Sequence, residues 1–266
     1  MLPLSVELSA ELLDSLPPVD ELPDSDDTPV DNEDQCLIPG VLLMLLNYIW
    51  RHREDWFFSG DMGIYHTTGS NPRVPVIPDA FLSIGVDRRR DGKSRRSYIT
   101  WKENNIPPIL TLEMVSHTPG GEYDSKMAIY AGLSVLYYVI YNPEFWQRDG
   151  HNPLEVYKLV EGTYQLQVGE PCWMPEIGLG IGRDRLVDDP FDREVLTWYD
   201  ARGQRYRSEA EVERDRAAAE RQRAATEAQR AEQAEQRADE AQQRADRLAA
   251  RLRELGIDPE AGESVD

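Results

Sequence analysis

Cysteine and positive charge are the scarce components of this sequence. Its 266 residues include only two cysteines, Cys36 and Cys172, which lie far apart without metal-type spacing. A disulfide framework and a zinc ribbon are therefore excluded. Lysine and arginine together number 29 against 49 aspartates and glutamates, so the formal net charge is −20. Acidic residues are distributed unevenly along the chain, and their distribution distinguishes its segments.

Long apolar runs and an N-terminal basic region are also missing. The longest apolar stretch, 37–50, is interrupted by Pro39, Gly40 and Asn47, and it falls short of the roughly 20 residues that a membrane span requires. The first basic residue is Arg51, so the N-terminus lacks the positive region of a signal or transit peptide. We therefore expect a cytoplasmic protein without a membrane segment.

Composition divides the chain into four segments. Residues 1–34 contain eleven acids, five prolines and no base, which predicts a mostly disordered acidic tail. Residues 35–200 alternate apolar runs with turn residues and predict one folded α/β domain. Residues 208–255 contain no aromatic residue, proline or glycine and predict a long helix. Because Gly256 ends that helix, we expect 256–266 to form a loose acidic tail.

Apolar periodicity in the folded segment predicts a mixed sheet flanked by helices. Helical spacing occurs at 37–53 and 122–133. Strand-like runs occur at 61–67, 76–86, 109–115 and 135–141, and a hairpin is predicted at 154–159 and 164–168. The run 109–115 is apolar except for Thr111 and Glu113, so we expect a strand that is buried on both faces.

The C-terminal segment carries a heptad pattern. Alanines and leucines recur with alternating steps of three and four residues at Ala231, Ala234, Ala238, Ala241, Ala245, Leu248, Leu252 and Leu255. This spacing is typical of a coiled-coil seam. Alanine buries little area per layer, however, and a single helix stabilised by Glu–Arg pairs fits the same sequence. Both interpretations stay open, and we expect a homo-oligomer formed through this helix or through the folded domain.

Two carboxylates stand among apolar residues. Glu113 lies within the run 109–115, and Asp79 lies between the apolar stretches 76–78 and 80–82. A buried charge needs a partner or a metal ion to offset its desolvation. Two adjacent strands would bring both carboxylates to one point, where oxygen ligands suit Mg²⁺. The alternatives are that either residue faces solvent at a strand end or pairs with an arginine.

Lys126 follows Glu113 by thirteen residues, near the start of the helix predicted at 122–133. A positively charged lysine at that position interacts unfavourably with the helix dipole. An adjacent phosphate or attacking water would explain why a lysine lies there. Position alone favours a simpler interpretation, in which Lys126 is a surface lysine paired with Glu122 four residues before it.

The order and spacing of four short motifs carry a family resemblance. The motifs are Pro78-Asp79, Leu112-Glu113-Met114-Val115-Ser116, the helix from Glu122 through Lys126 to Tyr130, and the aromatic run 137–141 with Asn142-Pro143. Together they resemble the PD-(D/E)XK nuclease superfamily and, more narrowly, the Uma-type restriction endonucleases. The resemblance implies a restriction-endonuclease-like α/β fold and Mg²⁺-dependent hydrolysis of phosphodiester bonds in DNA, with Mn²⁺ as a substitute.

The same resemblance implies residue roles. Asp79 matches the aspartate of the Pro-Asp motif and Glu113 the acid of the following strand, which are the Mg²⁺ ligands. The usual superfamily lysine, two residues after that acid, is replaced by Val115. Relatives carry a lysine on the next helix instead, and Lys126 matches it as the catalytic residue that orients or helps to deprotonate the attacking water. Tyr130 and Glu122 match supporting positions.

A dense basic cluster lies between the two carboxylate strands. Its members, here called the basic segment, are Arg88, Arg89, Arg90, Lys93, Arg95 and Arg96. With Tyr98 and Trp101 following it, the basic segment is predicted to sit beside the carboxylates and to contact DNA phosphates. The alternative is a solvated loop that pairs with the protein's own acids, because the net charge argues against tight non-specific DNA binding.

An interaction protein is the rival interpretation. Val115, the acidic net charge and the alanine seam all fit a catalytically inactive nuclease fold that binds partners through its C-terminal helix. A nuclease that acts only beside a separate specificity protein is a third interpretation. No organic cofactor is expected, because the glycines of 118–121 lack the spacing of a nucleotide-binding fingerprint.

Overall fold

The computed structural model describes residues 8–18, 21–22, 32–90, 92–117 and 120–256. The chain divides into two units, Met1–Ser208 and Glu209–Asp266. In the part of the chain that is described, the first unit holds the strands and the four shorter α-helices, and the second holds one long helix. Among the described residues, no helix is both long and apolar enough to cross a membrane.

The elements follow one another in a β-rich order. The helices are α1 (Ala10–Ser15), α2 (Asp34–Ile49), α3 (Ser125–Gly132), α4 (Trp146–Asp149) and α5 (Glu209–Glu254). The strands of the first half are β1 (Trp56–Gly60), β2 (Ile64–Tyr65), β3 (Ala80–Ile84), β4 (Tyr98–Ile99) and β5 (Leu110–Met114). The remaining strands are β6 (Tyr137–Tyr141), β7 (Leu154–Val160), β8 (Thr163–Leu166), β9 (Cys172–Met174), β10 (Leu179–Arg185) and β11 (Glu194–Tyr199).

A mixed six-stranded sheet forms the centre of the first unit, with strand order β1-β3-β5-β6-β7-β8. Strands β5 and β6 are parallel and are joined by a crossover through α3, whereas all other neighbours in this sheet are antiparallel. Every residue of β3, β5 and β6 is buried. The prediction of a mixed sheet flanked by helices, followed by a long C-terminal helix, is confirmed, as is the double-sided burial of the 109–115 strand.

The two faces of the sheet are covered by different elements. One face packs against α2 and against a second, antiparallel sheet of order β11-β10-β9. The indole of Trp198 in β11 donates to the carbonyl oxygen of Leu42 in α2 over 3.0 Å, which ties the second sheet to the helix. The other face packs against α3, where Tyr130 contributes to a cluster with residues of β3 and β6.

The predicted hairpin at 154–168 is present as β7 and β8. Its two-residue connection, Glu161-Gly162, has φ values of 50° and 80°. Positive φ at both central positions is the geometry of a type I′ turn, whose twist matches that of the flanking strands.

Some element bounds differ from the sequence-based expectation. The run 61–67 contributes only β2, because this segment pairs with the two-residue β4 outside the main sheet. Strand β1 and the β9–β11 sheet were not predicted as separate strands. Strand β10 contains Gly180 and Gly182, where a Cβ would approach Tyr199 within 3.2 Å. Close packing of its backbone, rather than an alternation of apolar and polar side chains, is therefore the characteristic feature of this strand.

The described part of the N-terminal tail contains a short helix, and the expectation that 1–34 is mostly disordered stays a prediction. Helix α1 begins after Ser9, whose side chain accepts a hydrogen bond from the backbone N–H of Leu12. Leu22 is buried against Tyr65, Ile99 and neighbouring apolar residues. Residues 1–7, 19–20 and 23–31 of the tail lie outside the described residues.

Helix α5 is one uninterrupted helix of 46 residues, about 69 Å long at 1.5 Å per residue. Nearly all its side chains are exposed, including Leu248 at 59%. The helix begins and ends close to the predicted bounds. The alternative between a single helix and a coiled coil stays a prediction, and so does the homo-oligomer.

Replacing Trp198 with alanine should destabilise the first unit by about 3–5 kcal/mol, because the change opens a cavity and removes the hydrogen bond to α2. Urea unfolding, followed by the fluorescence of the remaining tryptophans, measures this loss. Trp173, in the same small sheet but 41% exposed, provides the matched control, and Trp173→Ala should cost less than about 1 kcal/mol. Equal losses would contradict the stabilising role of the contact between Trp198 and α2.

Candidate active site

The pairing of β3 with β5 brings the two predicted carboxylates together. Ala80 lies opposite Leu112 in the antiparallel register, so the same register places Asp79, the residue directly before β3, opposite Glu113. Asp79 is therefore adjacent to a strand rather than inside one. Side chains opposite each other in antiparallel strands are immediate neighbours on one face, and here that face is the one covered by α3.

Glu113 is buried and hydrogen-bonded on both oxygens. Its side chain is only 1% exposed. Lys126 donates from Nζ to Oε2 over 2.7 Å, and the hydroxyl of Tyr130 donates to Oε1 over 2.5 Å. Lys126 and Tyr130 are four residues apart in α3, a spacing that puts two side chains on the same face of a helix. One helix face thus supplies both partners of the buried carboxylate.

Asp79 is held by the backbone. Its Oδ2 accepts the N–H of Met114 over 2.6 Å, and its carbonyl oxygen accepts the N–H of Asp61 over 3.1 Å. The first contact extends the β3–β5 pairing by one residue and fixes the carboxylate beside Glu113. The second joins Asp79 to the segment after β1.

The electrostatics of the site oppose full ionisation of both acids. Burial raises the pKa of Glu113 to about 8, with a further upward contribution from Asp79, although Lys126 and Tyr130 act in the opposite direction. Burial also raises the pKa of Asp79 to about 6, against the effect of the Met114 N–H. For Lys126, burial lowers the pKa, but Glu113 and the other acids outweigh it, so the net direction is upward.

The connection from β5 to α3 determines where Lys126 points. Glu122 is buried, and its carboxylate accepts the N–H of Gly120 at 3.0 and 2.9 Å. Its carbonyl oxygen accepts the hydroxyl of Tyr138 over 2.7 Å. The interpretation of Lys126 as a surface lysine paired with Glu122 is therefore wrong, because Glu122 caps its own loop and the ammonium turns inward to Glu113.

Val115 does not supply a polar group to this site. Its side chain is buried in the apolar cluster that also contains Tyr130 and Tyr138. The position that usually carries the superfamily lysine is thus part of the core, and the nearby ammonium comes from α3 instead.

The basic segment follows the end of β3 that is opposite to Asp79. Arg88 stacks on Trp56 at 3.6 Å and Arg95 on Phe57 at 4.4 Å. Those aromatic residues pair with Ile84 and Ser83 in β3, which are five and four residues beyond Asp79, or about 13–16 Å along a strand. Arg88 and Arg95 are therefore anchored away from the carboxylates, whereas a position of the other members of the basic segment beside the carboxylates stays a prediction.

Arg95 is also engaged inside the protein. Its guanidinium binds the buried carboxylate of Glu103 at 2.8 and 3.0 Å, and its side chain is 2% exposed. Arg90 lies 3.9 Å from the same carboxylate, and Arg89 donates to the Ser94 hydroxyl. These contacts favour the alternative in which the segment pairs with the protein's own groups. Lys93 and Arg96 are exposed, and a DNA contact by them stays a prediction.

A polar network beside the carboxylates was not predicted. The amide of Asn142 donates to the hydroxyl of Tyr123 over 3.1 Å and to Asp149 over 2.9 Å. The rings of Tyr123 and His151 stack at 3.6 Å, and His151 lies 3.2 Å from the buried Glu155. The Asn-Pro after the aromatic strand was the available signal, but the sequence does not indicate which groups that asparagine binds.

The donor set of the site fits a divalent ion of the Mg²⁺ class. Asp79 and Glu113 offer oxygen ligands, and burial, which raises the pKa of each, disfavours their charged forms, which a bound cation would stabilise. Within the described ranges, no three histidine, cysteine, aspartate or glutamate side chains form a group that could hold a metal ion. Two carboxylates nevertheless suffice for Mg²⁺, which keeps several waters and binds substrate phosphates.

Comparison with known proteins identifies one family. Residues 29–182 match the family model Uma2, described as "Putative restriction endonuclease", which confirms the resemblance inferred from the motifs. A crystal structure of "a putative nuclease belonging to DUF820" from Anabaena variabilis matches with a TM-score of 0.39 and 11% identity, covering 55% of this chain and 74% of that chain. No curated protein matches the chain.

The raised pKa of Glu113 predicts a pH-dependent stability. Between about 4.5, its ordinary pKa, and about 8, its pKa in the folded protein, only the folded state keeps the proton. The free energy of unfolding should therefore fall as pH rises through this window, by at most about 1.4 kcal/mol per pH unit for this group. Urea unfolding in metal-free buffer from pH 5 to 8 measures the slope, and Glu113→Gln should flatten it.

Glu176 provides the matched control, because Lys158 and Tyr137 hold the pKa of this half-buried glutamate at about 2 against the effect of burial. Its titration lies below the tested range, so Glu176→Gln should leave the slope unchanged. An unaltered slope in Glu113→Gln would show that Glu113 is ionised throughout.

Proposed function

The chain belongs to the Uma2 family, and from this premise we propose that it is an endonuclease that hydrolyses phosphodiester bonds in DNA with Mg²⁺ or Mn²⁺ held by Asp79 and Glu113. The observation that carries the proposal is the juxtaposition of a buried carboxylate pair with an ammonium group. Lys126 Nζ lies 2.7 Å from Glu113, and Glu113 lies opposite Asp79 in register.

A bound divalent ion would lower the pKa of a water molecule and withdraw charge from the phosphoryl oxygens. The protein's part is to hold the two carboxylates in a fixed geometry. The Met114 N–H holds Asp79, and the Tyr130 hydroxyl holds Glu113. Each carboxylate oxygen has two lone-pair directions, so these hydrogen bonds leave room for a ligand bond.

Lys126 supplies positive charge. Because Glu113 and the neighbouring acids raise its pKa, Lys126 stays protonated at neutral pH. A protonated lysine cannot accept a proton, which supports a role in orienting the attacking water over a role in deprotonating it. The ammonium would also stabilise the negative charge that develops on the phosphate in the transition state.

An inactive scaffold is the competing function. The observation that favours it is the burial of Val115 at the usual position of the superfamily lysine, together with the exposed seam of α5. In that case the carboxylate pair would be a remnant and the helix would be the functional surface. Cleavage and metal binding distinguish the two functions.

Wild-type protein should convert supercoiled plasmid to nicked and linear DNA in Mg²⁺ or Mn²⁺, and both Asp79→Asn and Glu113→Gln should abolish the conversion. Glu176→Gln is the control, since it removes a glutamate outside the site and should cut as wild type does. Cutting by neither wild type nor variants would favour the scaffold. Equal cutting by wild type and Glu113→Gln would place the active site elsewhere.

Lys126→Met should separate metal binding from catalysis. Titration calorimetry should give Mg²⁺ binding for wild type and Lys126→Met but none for Asp79→Asn. The cleavage rate of Lys126→Met at saturating Mg²⁺ should fall about 100- to 1,000-fold, the usual effect of removing one group that stabilises transition-state charge. An unchanged rate would contradict the role assigned to Lys126.

A further inference from the structure

Arg148 occupies the end of the sheet at which the carboxylates lie. It belongs to α4, which follows β6, and β6 runs parallel to β5 with Ile140 beside Glu113. Its Nη1 donates over 3.0 Å to the carbonyl oxygen of His117, four residues beyond Glu113. Arg148 thus joins the segments that leave the two central strands on the carboxylate side.

The guanidinium is held in one orientation. Nε and Nη2 bind the two oxygens of Asp149 at 2.6 and 3.0 Å, and Asp149 is itself held by the amide of Asn142. The group also stacks over the ring of Phe145 at 4.4 Å. A fork positioned in this way loses little conformational entropy when it binds a further anion.

Donors remain on the guanidinium for a ligand. Of the five N–H groups of an arginine, the contacts to Asp149 and His117 account for three, and the side chain is 40% exposed. The other two N–H groups, one on each Nη, have no acceptor among the residues that the structure describes. Their planar arrangement is the one that suits phosphate oxygens.

The electrostatic surroundings connect Arg148 with the site. Glu122 is a charged neighbour shared by Arg148, Lys126 and Asp79. By contrast, the anchored arginines of the basic segment lie at the opposite end of β3. A polyanionic strand that reaches the carboxylates of this acidic protein needs positive charge near them, and Arg148 adds to the charge of Lys126 at this end of the sheet.

We propose that Arg148 binds a phosphate of the DNA backbone adjacent to the one placed at Asp79 and Glu113. The inference rests on the proposed function and deepens it, because it assigns the substrate-contacting cation to α4 rather than to the basic segment. Asp149 and Asn142 act as positioning residues that orient the guanidinium.

Arg148→Gln should weaken binding of a short fluorescein-labelled DNA duplex about tenfold, the usual effect of removing one charge-assisted hydrogen bond. Fluorescence anisotropy over a range of salt concentrations should also show a slope of log Kd against log salt that is smaller by about one. In Mg²⁺-dependent cleavage, KM should rise by a similar factor while kcat stays within about twofold. Arg148→Lys, which keeps the charge but not the fork, should recover part of the affinity.

Arg183→Gln is the matched control. Arg183 is likewise held by Nε and Nη2 on one carboxylate, that of Glu170, but it lies in the β9–β11 sheet. It should therefore bind and cut as wild type does. Thermal unfolding of all three variants identifies any loss that comes from misfolding.

The outcomes separate the inference from the proposed function. Wild-type protein that cuts DNA, with Arg148→Gln folded and equal to wild type in Kd, salt slope and KM, would overturn the inference alone. Equal losses in Arg148→Gln and Arg183→Gln would also overturn it, because the effect would then be general. Wild-type protein that neither binds nor cuts DNA would overturn the proposed function and this inference with it.

Discussion

A carboxylate without access to water is the constraint on which the candidate site depends. Glu113 lies in the middle of a sheet that is covered on both faces, so its charge has to be balanced by groups that the fold brings to it. Lys126 and Tyr130 provide that balance from one face of α3, and Asp79 adds a second negative charge through the register of β3 and β5. Burial raises the pKa of both acids, so their simultaneous ionisation is unfavourable when only the protein's own groups surround them. A divalent cation is the simplest group that would complete the balance.

The parts of the site that depend only on residues close together in the chain could be predicted from the sequence. An acid in an otherwise apolar strand stands out in any single sequence, and the four-residue spacing of Lys126 and Tyr130 needs only the geometry of a helix. The turn at Glu161-Gly162 is equally local, since both residues adopt the positive φ that a two-residue hairpin requires. The family resemblance added the roles of these residues but not their contacts.

The sequence did not indicate which groups meet at each end of the sheet. The basic segment lies between Asp79 and Glu113 along the chain, yet β3 and β5 are antiparallel and carry its anchored arginines to the opposite end. Arg148 lies 35 residues after Glu113 but at the same end, because β5 and β6 are parallel. Position alone favoured a pairing of Lys126 with Glu122 for the same reason: neighbours along the chain are visible in a sequence, whereas a partner from another strand appears only once strand directions are known.

The position of Lys126 and Tyr130 on one helix has a consequence for how this family can vary. An α-helix turns by about 100° per residue, so a single insertion or deletion between them would rotate one side chain away from Glu113. No adjustment of loops could restore both contacts. Length changes after Ile84, by contrast, would alter a loop remote from the carboxylates. Relatives that keep the chemistry are therefore expected to differ in length at the basic segment and to agree, residue for residue, within α3.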